Sequence, residues 1–414
     1  MNNNTTLLPC TTLLLIILIY SIKPAIAFYE KQKDNNFIDA RGLIRANANA
    51  LKYPNDSPLY QNTTESGVAA FARLMIDGGF NQNWGVEFNA YQTYIPEGIQ
   101  IAQSNSGIPT STERSAILEK SFSNSDYVRL AVDRLAIRWT DKRMNLIVGR
   151  QAINLATTFY FTPNDFFAPF AAQTFYRVFK QGVDALRIQY GISELSQLSY
   201  MGVLGYAEDL NSVTGWEDSP DSSRTSHLIR WSDVFHNFEA ILLLGDIVDK
   251  NVIGGAIQGE LISGIGMRVE GHYGNPQKND TEDYTQVSVG FEYQWQNNSE
   301  LRLELFYNGL GANDVSQYQL IQSTSNVQYF ARRYTALGGS YNITPLLTGQ
   351  AVIISNLDDQ SHLLSLYTVY SLSNESEITL SLNIPFGEAP DGLVFKSEFG
   401  TYPKSISLEF RQYF

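Results

Sequence analysis

TQVSVGFEYQWQNNSELRLELFYN, residues 285–308, is the stretch on which the fold turns. In its first half Val287, Val289, Phe291, Tyr293 and Trp295 fall on one face of an extended chain, and Gln286, Ser288, Gly290, Glu292 and Gln294 fall on the other. After a polar turn from Gln296 to Ser299 the pattern resumes: Leu301, Leu303, Leu305 and Tyr307 oppose Arg302, Glu304 and Asn308, with Phe306 the one apolar residue on the polar side. A period of two belongs to a strand, because a helix would scatter the same residues around its circumference. The segment upstream repeats it, with Ile265, Met267, Val269 and Tyr273 opposing Arg268, Glu270 and His272.

From about Gly42 to the end the chain divides into such segments, each near ten residues long, the pattern of strands with one face in lipid and one in water. Expected strands are Ile44–Ala50, Val68–Ile76, Trp84–Tyr94, Tyr127–Trp139, Asn145–Ala152, Val183–Tyr190, Leu195–Tyr206, His227–Trp231 and Asn237–Gly245 in the first half. Val252–Gly259, Ser263–Tyr273, Thr285–Trp295, Leu301–Asn308, Tyr329–Ile343, Leu347–Ser355, Leu363–Leu372, Glu377–Ile384 and Ser405–Phe414 follow. About eighteen antiparallel strands result, or sixteen if the weak segments at Ile44 and His227 fail. An even number puts both termini on the periplasmic side.

Short turns (Asp77–Asn83, Thr140–Met144, Gln296–Ser299, Thr344-Pro345, Ser373–Ser376) separate strands whose other ends lead mostly into long connections: Ile95–Ser125, Ile153–Gln181, Ala207–Arg224, Gly309–Gln328 and Phe386–Lys404. Short turns on one rim and long loops on the other describe an all-β transmembrane barrel. Aromatic residues support the register. Trp84, Trp139, Trp295, Tyr341 and Phe414 fall at expected periplasmic strand ends, and Tyr94 and Tyr273 at extracellular ends, where rings sit at a lipid–water boundary.

Composition agrees. The 414 residues carry 29 Lys and Arg against 42 Asp and Glu, only 17% charged residues, with 24 Tyr and 23 Phe. A net charge of −13 without basic runs excludes a nucleic-acid binder. At the N-terminus an apolar run, Leu13–Ile19, precedes Ala25-Ile26-Ala27, so residues 1–27 are expected to be a signal peptide and the mature barrel to begin at Phe28. Its removal takes away Cys10, the chain's one cysteine, leaving no disulfide to brace the fold; a closed sheet braces itself.

The last strand ends on Phe414, with Phe410, Leu408 and Ile406 stepping back along the same face. In this it resembles the Gram-negative outer-membrane barrels, which implies that these residues are an assembly signal read by the barrel-assembly machinery. A second stretch is similar to porin-like proteobacterial outer-membrane proteins that mostly lack an assigned substrate: Gly149-Arg150-Gln151, then Thr162-Pro163-Asn164-Asp165, Pro169, and Gly182-Val183-Asp184-Ala185-Leu186. The resemblance implies a porin-type fold. The implied partners are outer-membrane lipid and lipopolysaccharide, the assembly machinery and small hydrophilic solutes, with a homotrimer as a candidate assembly.

With apolar faces in lipid, the alternate positions line a lumen: Arg45, Arg73, Arg134, Arg138, Arg268, Arg302, Arg332 and Arg411 with Glu87, Glu239, Glu270, Glu292, Glu304 and Glu409. Arg–Glu pairs can brace the wall or set the field that a solute crosses. Most lysines lie in connections, Lys52, Lys250, Lys278 and Lys404 among them, as does part of the acidic excess, including Glu208, Asp209, Glu217, Asp218, Asp221 and Asp280.

So wide a barrel must be narrowed. The Ile153–Gln181 loop, with Phe159, Phe161, Phe166, Phe167, Phe170, Phe175 and Phe179, is too aromatic to be left in water and is expected to fold inward, with Asp165, Arg177 and Lys180 as polar tips; an external cap or subunit contact is the alternative. Ile95–Ser125, rich in Ser, Thr and Gly, reads as an exposed loop.

No metal spacing, nucleophile elbow or cofactor motif is found; of His227, His236, His272 and His362, only His272 and His362 fall where they could join a Ser or Asp pair at the mouth. The expected function is a passive diffusion pore, not an enzyme. Alternatives are a conduit for a charged oligosaccharide, for which Glu interrupts the arginine ladder, a plugged-barrel receptor or adhesin, and an outer-membrane hydrolase.

Overall fold

Each barrel strand pairs antiparallel with the next, and the last pairs with an early one. The computed structural model describes residues 29–54, 58–60, 62–95, 112–122, 128–209, 212, 215–277, 282–324 and 328–414. The expected leader with Cys10 and the Phe28 start, residues 96–111 and 123–127, Lys278 and Asp280 lie outside the described residues.

The strands are β1 (Tyr29–Lys33), β2 (Asn36–Lys52), β3 (Thr64–Phe80), β4 (Trp84–Tyr94), β5 (Glu119–Ser121), β6 (Val128–Asp141), β7 (Met144–Gln151), β8 (Val183–Gly191), β9 (Gln197–Glu208) and β10 (Trp216–Phe235). They continue as β11 (Phe238–Asp246), β12 (Lys250–Ile262), β13 (Ile265–Pro276), β14 (Tyr284–Gln294), β15 (Glu300–Asn308), β16 (Arg333–Thr344), β17 (Leu347–Asn356), β18 (His362–Ser371), β19 (Ser376–Phe386) and β20 (Lys404–Tyr413), with one short α-helix among the described residues, α1 (Tyr318–Thr324). β20 returns to β2 from Leu43↔Tyr413 to Lys52↔Lys404, closing an eighteen-stranded ring of β2, β3, β4 and β6 to β20. Closure gives each ring strand partners on both sides, so the sheet has no ring edge. β1 and β5 stand outside the ring: β1 pairs with the start of β2, below the seam, and β5 with the start of β6.

The alternation sorts as expected in β14 and β15, where Phe291, Tyr293, Leu301, Leu303, Leu305 and Tyr307 are exposed on the outer face and Ser288 and Glu304 are buried inside. Trp84 and Trp139 face each other across β4 and β6 at the rim of short turns. The opposite rim carries the long connections, apart from the short ones at 247–249 and 357–361.

Three expectations need correction. Sixteen strands is excluded, since the two weak segments become the long β2 and β10, of 17 and 20 residues. The expected 207–224 loop is mostly strand: β10 begins at Trp216 and keeps pairing with β9 through two register shifts around Pro220. Its upper part is polar on both faces because it rises above the apolar belt, which erased the alternation. The expected exposed loop at 95–125 is, in its described part, a piece of wall. β6 pairs with β7 no higher than Leu135↔Arg150, and above that β5 takes the vacated edge, so Thr112, Arg114 and Ser115 are buried.

One bulge matters for the lumen. Asn89 pairs with Arg134 and Ala90 with Val132, so Asp133 is an extra residue, and both Asp133 and Arg134 point inward.

Candidate functional site

The connection between β7 and β8 folds into the barrel and is held there from nearly every direction. Its base is tied first. Arg150 donates to both carboxylate oxygens of Asp184, the Gly182 amide donates to Asp133, and Arg114 bridges Asp133 and the Gly182 carbonyl. Gly149 makes the start possible: its φ is +119°, and a Cβ there would collide with the Leu135 carbonyl oxygen.

Two wall carboxylates clasp the middle of the loop through its backbone. Glu304 on β15 accepts from the amides of Phe159 at 2.6 Å, Tyr160 at 2.9 Å and Phe161 at 3.0 Å. Glu270 on β13 accepts from Thr157, from Thr158 at 3.1 Å and from Asn164 at 3.2 Å. Successive amides converging on one carboxylate form a compact anion nest. Both glutamates are at most 1% exposed, so the bonds lie in a dry setting where an unmade bond is costly.

Aromatic rings complete the mooring. Phe161 stacks on Phe306 with centroids 4.9 Å apart, so the apolar residue on the polar face of β15 is a landing site for the loop. Phe175 stacks on Tyr367 of β18, the Arg411 guanidinium lies 3.8 Å from the Tyr176 ring centroid, and Arg73 lies 4.3 Å from that of Phe179. On the other flank Ile153, Leu155 and Phe167 pack against inward-facing Val183, Met201, Val203, Leu228, Ile241 and Leu243. Each aromatic pair contributes about 0.5–1.5 kcal/mol beyond area burial.

The loop's own charged residues turn into it. Lys180 and Asp165 pair with each other, both buried. Arg177 donates to the carbonyls of Phe159, Ala172 and Thr174. They are internal brackets, not polar tips, because each would otherwise be a charge buried among rings. Phe166 lies against His272, and Phe167 in the apolar flank.

The wall residues divide by level. At the height of the loop, Arg45 pairs with Glu409 at 2.6 Å and Arg73 with Asp133 at 2.8 Å, and both are buried. Nearer the short-turn rim, Arg134 meets Glu87 at 3.5 Å, Arg268 and Arg302 share Glu292, Arg302 also pairs with Glu300, and Arg230 pairs with Glu239. Arg138 and Arg187 have no ion-pair partner among the described residues, and the Arg187 Nε is buried without a hydrogen bond. Arg332 precedes β16 in a connection, bonded to the Gly311 carbonyl, and is off the strand wall. Arg114, Asp133, Arg150 and Arg187 escaped the sequence reading as site residues; only the Gly149–Gln151 stretch hinted at one of them, Arg150. His272 is buried beside Asn164, and His362 meets the Ser355 hydroxyl at 2.8 Å, so of the two only His362 joins a Ser or Asp pair.

A cavity of 670 Å³, bounded by Glu113, Phe166, Phe170, Thr174, Gln181 and Tyr402, lies on the long-connection side of the loop. Another, of 770 Å³, lies on the short-turn side beside Arg143, Gln189, Arg230 and Glu239. The loop therefore sits between two vestibules.

No family model matches the chain, and no curated protein matches it. Solved structures do. The chain is similar to OccK9 (OpdG) of Pseudomonas aeruginosa, with a TM-score of 0.61 at 11% identity, over 91% of this chain and 98% of that one. A BenF-like porin from Pseudomonas fluorescens Pf-5 gives 0.58 at 11%, over 91% and 98%, and OccK2 (OpdF) of Pseudomonas aeruginosa gives 0.57 at 13%, over 91% and 97%. At these identities the likeness is one of fold.

Proposed function

We propose that this chain, which has the fold of those porins, is a passive, water-filled diffusion channel for small hydrophilic solutes in the cell outer membrane. The observation that carries the reading is the β7–β8 loop, moored inside a closed barrel between two vestibules by Glu270 and Glu304. A solute enters at the long-connection rim, taken as extracellular, is ranked by size beside the loop, and leaves past the Arg–Glu mouth at the short-turn, periplasmic rim. No chemical step is needed.

The field at the mouth is set by arginines and carboxylates together. There Arg41, Arg134, Arg138, Arg187, Arg230, Arg268 and Arg302 face Asp39, Asp77, Glu87, Glu239, Glu260, Glu292 and Glu300, a mixed field of balanced charge. A low-dielectric wall concentrates that field on a passing solute. Ile406, Leu408 and Phe410 present the outer face of the last strand to the barrel-assembly machinery, with Phe414 bonded through its backbone to Gly42 at the seam.

Recording purified protein in a planar bilayer tests the reading: steady ohmic conductance is expected. Silence from correctly inserted protein overturns it. Silence would leave a second reading standing, a plugged receptor, which the burial of Arg45, Arg73 and Arg411 under the loop favours.

A further inference from the structure

The seam between β2 and β20 ends on two lysines. Lys52 and Lys404 are the last pair of its register, directly opposite each other at the long-connection rim. Both are exposed and continue the outer faces, Lys52 in step with Ala48 and Ala50, and Lys404 with Ile406 and Leu408. Like charges directly opposite on neighbouring strands repel. The same seam also sets Arg45 opposite Arg411, but there Glu409 pairs with both guanidiniums, whereas among the described residues neither lysine has an ion-pair or hydrogen-bond partner.

The pair borders a cavity of 460 Å³ that also includes Tyr53, Pro385, Phe386 and Tyr402. Phe386 is 49% exposed and lies on the outer face of β19, in step with Leu380 and Leu382, where a ring can lie between acyl chains and headgroups. Two ammonium groups, an apolar floor and an outer-face position at the extracellular rim suit one chemistry: a phosphate carried on a lipid. We propose that Lys52 and Lys404 form a binding site for the phosphate of an outer-leaflet glycolipid headgroup, with Phe386 against its sugar or acyl portion. The bound phosphate cancels the repulsion and ties the two strands that close the ring. The site rests on the outer-membrane reading, but it plays no part in conduction.

The test uses full-length protein folded in detergent, with folding scored separately by heat-modifiable electrophoretic mobility, so failure to fold and failure to bind are distinguishable. Diphosphorylated lipid A, its dephosphorylated form and inorganic phosphate are the probes. Wild type is expected to retain the diphosphorylated lipid in native mass spectrometry, and K52Q/K404Q to bind it roughly tenfold or more weakly with unchanged conductance. A K31Q/K33Q variant, at the other rim, is expected to bind like wild type. Equal retention by K52Q/K404Q overturns the site, as does equal binding of the dephosphorylated lipid. Tight binding of inorganic phosphate alone overturns the lipid as its source.

Discussion

Arg150 grips Asp184 with both arms of its guanidinium, Nε at 2.8 Å from one carboxylate oxygen and Nη2 at 3.0 Å from the other, and so joins the two ends of the inward loop. Arg150 is 1% exposed, so D184N leaves a buried cation with only the more distant Glu119, 3.9 Å away, at a cost of up to about 3 kcal/mol. The closed ring should survive and the loop base loosen: higher open-channel noise and faster proteolysis within 153–181 are expected. R150K should not restore wild-type noise, because an ammonium cannot reproduce the planar fork.

Releasing the clasps should widen the passage. E270Q/E304Q replaces two acceptor-only carboxylates with amides whose NH2 groups face loop N–H groups, removing charge-assisted bonds of about 1.5–3 kcal/mol each. Single-channel conductance is expected to rise severalfold, and larger uncharged polymers to enter. Unchanged conductance would mean that the loop does not set the aperture.

Arg187 tests the field. Having no ion-pair partner among the described residues, its charge is not spent on a wall pair, so R187Q should lower the anion-to-cation permeability ratio without altering stability. The reversal potential in a KCl gradient reads this out. R230Q, which frees Glu239, should shift it the same way.

Acidity governs the cap on the outer rim. Glu398, in the β19–β20 connection, accepts from Tyr334 Oη at 2.5 Å and Asn356 Nδ2 at 2.8 Å, and complete burial pushes its carboxyl up from 4.5 to about 8. A raised folded-state pKa means that the cap's stability from this group is full below about pH 4.5 and is lost as pH rises through about 8. Chymotryptic cleavage within 387–403, normalised to a free peptide, should therefore accelerate above about pH 8. E398Q should flatten that profile.

The barrel was legible because lipid imposes one rule on every strand it meets, and β14 and β15 obey it everywhere but at Phe306. Where the rule lapsed, the reading lapsed with it. Upper β10, polar on both faces, passed for a loop, and Asp133 was hidden because a bulge shifts parity without marking the sequence. The inward loop was legible from its rings, but its anchors were not, since Glu270 and Glu304 look like any other lumen carboxylates. One signal was available: Ala240–Leu244 is apolar on both faces, and an apolar inner face must be covered by something, here Ile153 and Leu155 among others. Phe306 carried the same message on β15.

The loop departs from β7 and returns at β8, yet it is fastened to β13, β15, β18 and β20, all made later in the chain, and to β2 and β3 beyond the seam. Its berth does not exist until the final hairpin has joined the first, so a nascent barrel is hollow and the gauge of the conduit is set last. Once seated, the loop works as a spoke set inside a hoop, linking staves such as β13 and β3 that lie far apart along the circumference.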